Sequence, residues 1–207
     1  MTATKADTGF IHVFEQGSDP ARRPLLLLHG TGGDERDLLG LGRTVAPGAS
    51  LISPRGKVLE GAAPRFFRRL AEGVFDEDDL RRRTDELADF VQEARERYGL
   101  AAPIALGFSN GANIAAAMLL KRPDVLAGAA LLRAMVPFSE APRADLEGKP
   151  VLVISGALDP IVPASNAERL VRQLSENGAA VEHRVLPAGH GLGQADLGLL
   201  QDWFGRR

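Results

Sequence analysis

Three side chains of the types that act together in nucleophilic catalysis each follow a short apolar run of the sequence. Ser109 is the third residue of a Gly-Phe-Ser-Asn-Gly pentapeptide, Asp159 lies in a Gly-Ala-Leu-Asp-Pro turn, and His190 lies between two glycines. A serine in a G-x-S-x-G turn is typical of an exposed nucleophile that a histidine activates and a carboxylate orients. Each residue alone is compatible with a helix cap or a turn. Their combination predicts a catalytic triad of Ser109, Asp159 and His190.

A second glycine-rich stretch, His-Gly-Thr-Gly-Gly at 29–33, follows another apolar run. Acyl transfer passes through a tetrahedral oxyanion, which preorganised N–H donors stabilise. In the G-x-S-x-G arrangement one donor comes from the residue after the nucleophile and the other from an earlier loop. These donors are expected to be the backbone N–H groups of Asn110 and Thr31. We expect His29 to pack and hydrogen-bond beside this oxyanion hole rather than to act as a second base.

The base is assigned by elimination, because the chain has only four histidines. His12 and His183 lie within predicted strands, and no glycine turn directs either of them toward Ser109. No pair of histidines has the local spacing of a preformed metal site. The absence of cysteine excludes a thiolate nucleophile and Cys-based metal sites. We therefore expect His190 to be the base, and we expect no metal.

Short apolar runs alternate with longer amphipathic stretches along the chain. Runs without alternating polar residues predict parallel strands buried on both faces, and a polar-apolar alternation at 10–16 predicts an antiparallel edge strand. The apolar runs lie at 25–29, 51–53, 104–108, 127–132 and 151–155, and a β-branched, alternating stretch predicts a further strand at 181–186. Helices are expected at roughly 34–45, 78–97, 110–121, 164–177 and 193–204. The pattern predicts one α/β domain over 1–207. Such sheets bind ligands at the carboxyl ends of their strands, where the triad residues lie.

The overall composition excludes several classes of protein. The 207 residues carry 25 Lys and Arg against 27 Asp and Glu, a formal charge of −2. This balance gives no basic field for nucleic acid. No apolar run approaches the roughly 18 residues of a membrane span, and no amphipathic basic helix indicates stable membrane association. Because the sequence begins without an apolar segment, we expect no signal peptide and a cytoplasmic protein.

The motifs at 29–34, 107–111, 156–160 and 189–191 together resemble the small carboxylesterase/phospholipase branch of the α/β-hydrolases, relatives of acyl-protein thioesterases and lysophospholipases. The resemblance covers nearly the whole chain. It implies an α/β-hydrolase fold with helices on both faces of the sheet, hydrolysis of carboxylic esters or thioesters without a cofactor, and often a homodimer. Dienelactone hydrolases share the fold but usually carry a cysteine nucleophile, so such an activity would depend here on serine.

The substrate pocket has to be formed without a large cap domain, because the segment between the strand after the nucleophile helix and the next strand is short. The loop 55–75 lies on the active-site edge of the predicted sheet and contains Arg55, Arg65, Phe66 and Phe67. We expect the phenylalanines to line an acyl or aryl pocket and an arginine to contact a polar or anionic part of the substrate. The alternative is that the segment 55–75 forms a helix that packs on the core and leaves its arginines exposed. Further pocket surface is expected from Met135, Leu158, Ile161 and Leu192.

The sequence therefore predicts a serine hydrolase that cleaves short to medium acyl or aryl esters, with thioesters as further candidates. A non-catalytic binding module on the same fold is the alternative from a different class. Such a module would not need the complete triad together with two glycine-rich loops. A dienelactone-like hydrolase and a lysophospholipase are the alternatives among enzymes.

Overall fold

The computed structural model describes residues 9–207, so the expectation about the first residues of the chain lies largely outside the described part. Eleven strands and five helices are formed there. The strands are β1 His12–Glu15, β2 Leu25–Leu28, β3 Leu51–Pro54, β4 Val58–Glu60, β5 Ala63–Arg65, β6 Arg69–Ala71, β7 Val74–Phe75, β8 Ile104–Phe108, β9 Gly128–Leu132, β10 Pro150–Gly156 and β11 Ala180–Leu186. The helices are α1 Leu39–Val45, α2 Glu77–Tyr98, α3 Asn110–Lys121, α4 Ala164–Glu176 and α5 Gln194–Gly205.

Seven of the strands form a central sheet in the order β1-β3-β2-β8-β9-β10-β11. Strand β1 pairs antiparallel with β3, and every other neighbouring pair is parallel. The strands β2, β8 and β9 in the middle of the sheet are almost completely buried, which explains their uninterrupted apolar runs. The predicted mostly parallel sheet with an antiparallel edge strand is confirmed.

The four consecutive leucines of β2 show how the two faces of the sheet are covered. Side chains alternate across a strand, so Leu26 and Leu28 pack into a core formed with α2, α3 and α4. Leu25 and Leu27 pack into a second core with α1 and α5. All four are at most 1% exposed. Helices therefore cover both faces, as expected for an α/β-hydrolase.

Helix α1 is shorter than the predicted helix at 34–45. Its first part is instead a series of turns, in which the Asp34 carboxylate accepts a hydrogen bond from the backbone N–H of Arg36 at 2.7 Å. Aspartate side chains compete with the helix for backbone donors in this way. The turn also places Glu35 beside Arg55, with which it forms a bidentate ion pair.

The segment 55–75 is neither an open loop nor a helix, which corrects both sequence-based interpretations. It forms two antiparallel hairpins, β4–β5 and β6–β7, that lie outside the central sheet. The segment between β9 and β10 contains no helix, so the described chain has no large cap domain. No helix between residues 9 and 207 combines the length and apolarity needed to cross a membrane.

Candidate active site

The carboxyl ends of the parallel strands bring the predicted triad together. Ser109 follows β8, Asp159 follows β10, and His190 follows β11. His190 Nε2 lies 2.9 Å from Ser109 Oγ, and His190 Nδ1 lies 2.8 Å from Asp159 Oδ2. The three side chains therefore form one continuous chain of hydrogen bonds.

The turn that carries Ser109 requires glycines on both sides of the nucleophile. Ser109 itself adopts φ 51° and ψ −114°, a conformation that costs of order 1–3 kcal/mol for a residue with a Cβ. A Cβ on Gly107 would lie 2.6 Å from the carbonyl oxygen of Gly111, and one on Gly111 would lie 2.0 Å from the carbonyl oxygen of Leu28. These close approaches explain the G-x-S-x-G spacing, because only glycine lets the helix begin this near the strands.

The environment of Asp159 keeps its carboxylate ionised. The side chain is fully buried, and burial alone would raise its pKa. The hydrogen bond from His190 and the backbone N–H groups of Ile161 and Val162, at 2.8 and 3.1 Å, lower the pKa below its usual value instead. An ionised Asp159 accepts a hydrogen bond, so His190 Nδ1 carries the proton and Nε2 is free to accept the proton of Ser109.

The turn that carries His190 lies outside regular structure and is held by the buried side chain of Arg133. The Nε of Arg133 donates to the Gly189 carbonyl at 3.0 Å, and Nη2 donates to the Gly191 carbonyl at 3.2 Å. Both terminal nitrogens also bind Asp196, at 2.8 and 3.0 Å. Because these carbonyls directly flank His190, the Arg133–Asp196 pair fixes the backbone that presents the imidazole.

The glycine-rich loop after β2 lies beside Ser109, and its conformation is fixed by the hairpin β4–β5. Gly32 donates to the Pro64 carbonyl at 2.9 Å, and Arg65 Nη1 donates to Thr31 Oγ1 at 2.7 Å. The backbone N–H groups of Thr31 and Asn110 donate to no other described residue. They are therefore available to a substrate oxygen, as the oxyanion-hole prediction requires.

His29 has the contacts of a packing residue. It is 1% exposed, and its ring lies 4.7 Å from the ring of Phe66. Its Nδ1 donates to the Gly30 carbonyl at 2.7 Å, and its Nε2 accepts from the backbone N–H of Gly56 at 3.0 Å. Burial lowers the pKa of His29, which favours the neutral ring that this pair of hydrogen bonds requires.

A cavity of about 300 Å³ opens beside Ser109 and His190. Its wall includes three of the predicted pocket residues, Arg65, Met135 and Ile161. It also contains residues that were not predicted, namely Arg69, Glu72, Gly73, Phe75, Phe108, Asn113, Arg133 and Val162. The cavity is therefore part apolar and part charged.

The other five predicted pocket residues lie elsewhere, which corrects those expectations. Phe66 and Phe67 are 2% and 0% exposed because the hairpins turn both rings into the core below α2 and α3. The guanidinium of Arg55 is held by Glu35. Leu158, at 72% exposed, and Leu192, at 38%, face solvent.

Some of the missed residues carry a signal in the sequence. Asn113 is one helical turn beyond Asn110 and so shares its face of α3, and its Oδ1 accepts the backbone N–H of Met135 at 2.7 Å. Arg133 directly follows β9, so the rule that ligands bind beyond strand ends indicates it. Phe75 has no such signal, because it enters the cavity only through the pairing of β6 with β7.

Comparisons with known proteins identify the family and agree with the fold. A model of the family described as phospholipase/carboxylesterase matches residues 11–204. The chain is 46% identical over 195 residues to the Bacillus subtilis (strain 168) protein named "Putative hydrolase MhqD", covering 93% of this chain and 96% of that protein. A carboxylesterase structure from Bacillus cereus is 44% identical with a TM-score of 0.93, covering 96% of this chain and 94% of that one. A carboxylesterase structure from Mesorhizobium loti is 34% identical with a TM-score of 0.90, covering 96% and 95%.

Proposed function

The chain belongs to the phospholipase/carboxylesterase family and is a carboxylesterase-type hydrolase, and from this premise we propose that it cleaves short to medium carboxylic esters through an acyl-enzyme on Ser109. The observation that carries this proposal is the hydrogen-bonded chain from Asp159 through His190 to Ser109 at the edge of the cavity. A nucleophile, its base and the group that orients the base are the parts that acyl transfer needs.

In the first half-reaction the Oγ of Ser109 attacks the ester carbonyl carbon while His190 Nε2 accepts the hydroxyl proton. The buried carboxylate of Asp159 stabilises the imidazolium through Nδ1. The N–H groups of Thr31 and Asn110 stabilise the oxyanion, and the loss of one such donor typically lowers turnover by about 10²–10³-fold. The carbon–oxygen bond to the alcohol then breaks, and His190 donates the proton to the departing oxygen.

In the second half-reaction a water molecule attacks the acyl group on Ser109, and His190 accepts one of its protons. The same two N–H groups stabilise the second oxyanion. Collapse of this intermediate breaks the bond between the acyl carbon and Ser109 Oγ, and His190 returns the proton to the serine. The carboxylic acid leaves, and neither half-reaction calls for a group beyond these residues and water.

The cavity favours small substrates. Its volume of about 300 Å³ lies at the lower end of the roughly 300–1,000 Å³ of small-molecule sites. Phe75, Phe108, Met135 and Ile161 give it apolar surface for a short acyl or aryl group. Short and medium esters are therefore the proposed substrates, and small thioesters fit the same chemistry.

The test is hydrolysis of p-nitrophenyl esters from acetate to octanoate by the wild type and by Ser109→Ala. We expect the variant to lose about 10⁴-fold or more of the activity, because the nucleophile is missing. Ser155→Ala is the matched control, since Ser155 Oγ also lies 2.9 Å from a histidine, His183, but lines no part of the cavity. It should retain wild-type activity.

A fluorophosphonate probe separates the two classes of function if no ester is cleaved. Covalent labelling of the wild type that disappears in Ser109→Ala would retain the acyl-enzyme chemistry and direct the search to other esters. Absence of labelling in the folded wild type would contradict the proposal and favour a non-catalytic binding module.

A further inference from the structure

Two arginines of the hairpins form one wall of the cavity. Arg65 ends β5 and Arg69 begins β6, and both line the same cavity as Ser109 and His190. Arg65 is 3% exposed, whereas the side chain of Arg69 is 30% exposed. A guanidinium this deeply buried is rare unless an anion compensates it, because removing a charge from water is costly.

The protein itself compensates these two charges only in part. Glu60 is bonded to Arg69, with 2.6 Å between its Oε1 and Nη2, and the same carboxylate lies 3.5 Å from Arg65 Nη1. The hydrogen bonds of Arg65 go to neutral oxygens, Thr31 Oγ1 and the Phe67 carbonyl. Nη2 of Arg65 donates to no other described residue. One carboxylate shared by two guanidiniums leaves an excess positive charge at this wall.

The other charged groups at the cavity do not balance the excess positive charge around the buried guanidinium of Arg65. The charge of Arg133 is balanced by Asp196. Glu72 in the cavity wall also acts electrostatically on Arg69, but it is exposed and forms no hydrogen bond with a described residue, so water screens this interaction. Burial lowers the pKa of Arg65, the charge of Arg69 lowers it further, and Glu60 offsets only part of this. An anion inside the cavity would therefore stabilise the buried guanidinium of Arg65 most.

The side-chain amide of Asn113, on the helix α3 that follows Ser109, adds a donor to the same cavity. The Oδ1 of Asn113 is already occupied by the backbone N–H of Met135, so its NH₂ group is the part left for a ligand. With Thr31 and the two arginines, this makes the polar wall rich in donors. A ligand group that only accepts hydrogen bonds, such as a carboxylate, matches this wall best.

We propose that the cavity selects esters that carry a carboxylate, which Arg65 and Arg69 bind while Ser109 attacks the ester group. This inference rests on the proposed function, since it names the substrate class of the same site. The small cavity limits such substrates to short half-esters of dicarboxylic acids or to esters of small aromatic acids. Neutral esters of the same size leave the excess positive charge of the arginines without an anion and therefore react more slowly.

The experiment compares kcat/KM within two matched pairs of esters. The first pair is p-nitrophenyl hydrogen adipate and p-nitrophenyl hexanoate, which places the carboxylate on the acyl side. The second is 4-acetoxybenzoate and its methyl ester, which places it on the alcohol side. Background hydrolysis is subtracted with Ser109→Ala. We expect the wild type to prefer the anionic member of at least one pair.

Three variants test where that preference originates. Arg65→Met should lower the anionic-to-neutral ratio about 10-fold or more, because a charge-assisted contact is lost. Arg69→Gln should lower it less, because Glu60 already binds Arg69. Arg68→Gln is the control, since Arg68 is exposed, binds Asp76 and does not line the cavity. A ratio that Arg65→Met and Arg69→Gln both leave unchanged would overturn the proposal while the esterase activity stands.

A binding measurement keeps the inference testable without turnover. Titration calorimetry with adipate should show binding to the wild type and to Arg68→Gln, and at least about 10-fold weaker binding to Arg65→Met. If no ester is hydrolysed and Ser109 is not labelled by the fluorophosphonate, the proposed function fails, but this titration still decides whether Arg65 and Arg69 form an anion site. Absent binding, or binding that Arg65→Met does not weaken, would refute the anion site. If Arg65→Met does not fold, Arg69→Gln provides the same comparison at a more exposed position.

Discussion

Two buried arginines line the same cavity, and the protein surrounds them in opposite ways. The guanidinium of Arg133 directs its five N–H groups at five acceptors, two from the Asp196 carboxylate and three from backbone carbonyls. Arg65 binds two neutral oxygens and shares Glu60 with Arg69. A complete set of acceptors marks a residue that orders the protein, whereas an incomplete set marks one that can still bind a ligand.

The position of each arginine in the fold explains this difference. Arg133 follows β9 in the middle of the sheet, with φ 55°, and its side chain lies between the end of β10, the His190 turn and the start of α5. Asp196 also accepts the backbone N–H of Gly193 at 2.9 Å. Arg65 instead lies on a hairpin outside the sheet, where its Nε and Nη1 meet protein acceptors and its Nη2 donates to no described residue.

Among the arginine variants, the largest effect is expected for Arg133→Met. This change leaves the buried Asp196 carboxylate without its partner, which typically destabilises a protein by about 3–5 kcal/mol. It also frees the turn on both sides of His190, and a displacement of about 1 Å can lower turnover by about 10²-fold. We expect kcat to fall far more than KM rises. Thermal unfolding and steady-state kinetics on a neutral ester measure the two effects.

The double variant Arg133→Met/Asp196→Leu separates the two roles of this pair. It removes both buried charges, so stability should recover toward the wild-type value. Activity should stay low, because the Gly189 and Gly191 carbonyls still lack their donor. Recovery of kcat together with stability would mean that Arg133 contributes only to folding and does not position His190.

The same substitution at Arg65 should have a smaller effect on stability. Arg65→Met removes hydrogen bonds to Thr31 and Phe67 but leaves no dedicated carboxylate unpaired, since Glu60 retains Arg69. A loss of about 1 kcal/mol, the usual net worth of such bonds, is expected. Denaturant unfolding of both Met variants measures the difference. An equal loss at the two positions would contradict the distinction drawn between the arginines.

The sequence predicts the sheet and the triad because both depend on local patterns. Each triad residue follows an apolar run, and the carboxyl ends of parallel strands lie at one edge of the sheet independently of the loop conformations. The pocket could not be predicted in the same way. Phe66 and Phe67 enter the core only because the hairpins form, and Arg133 meets Asp196 across 63 positions of the chain. The expected homodimer and cytoplasmic location stay predictions.

The smallest effect is expected at a third arginine, Arg55, which does not line the cavity and so serves as a control for the comparison. Its bidentate partner Glu35 has a pKa lowered first by the Arg55 hydrogen bond, while burial opposes the shift. A carboxyl whose folded-state pKa lies below its ordinary value of 4.5 stabilises the fold above that pH and loses this contribution as the pH falls through the folded-state value. Glu35→Gln should therefore flatten the decrease in melting temperature below about pH 4.5 relative to the wild type. Because Arg55 lies outside the cavity wall, the anionic-to-neutral ester ratio of this variant at neutral pH should equal that of the wild type. A changed ratio would mean that the Glu35–Arg55 pair influences the cavity from outside its wall. The contrast between Arg65 and Arg133 would then not be enough to explain which arginines affect substrate choice.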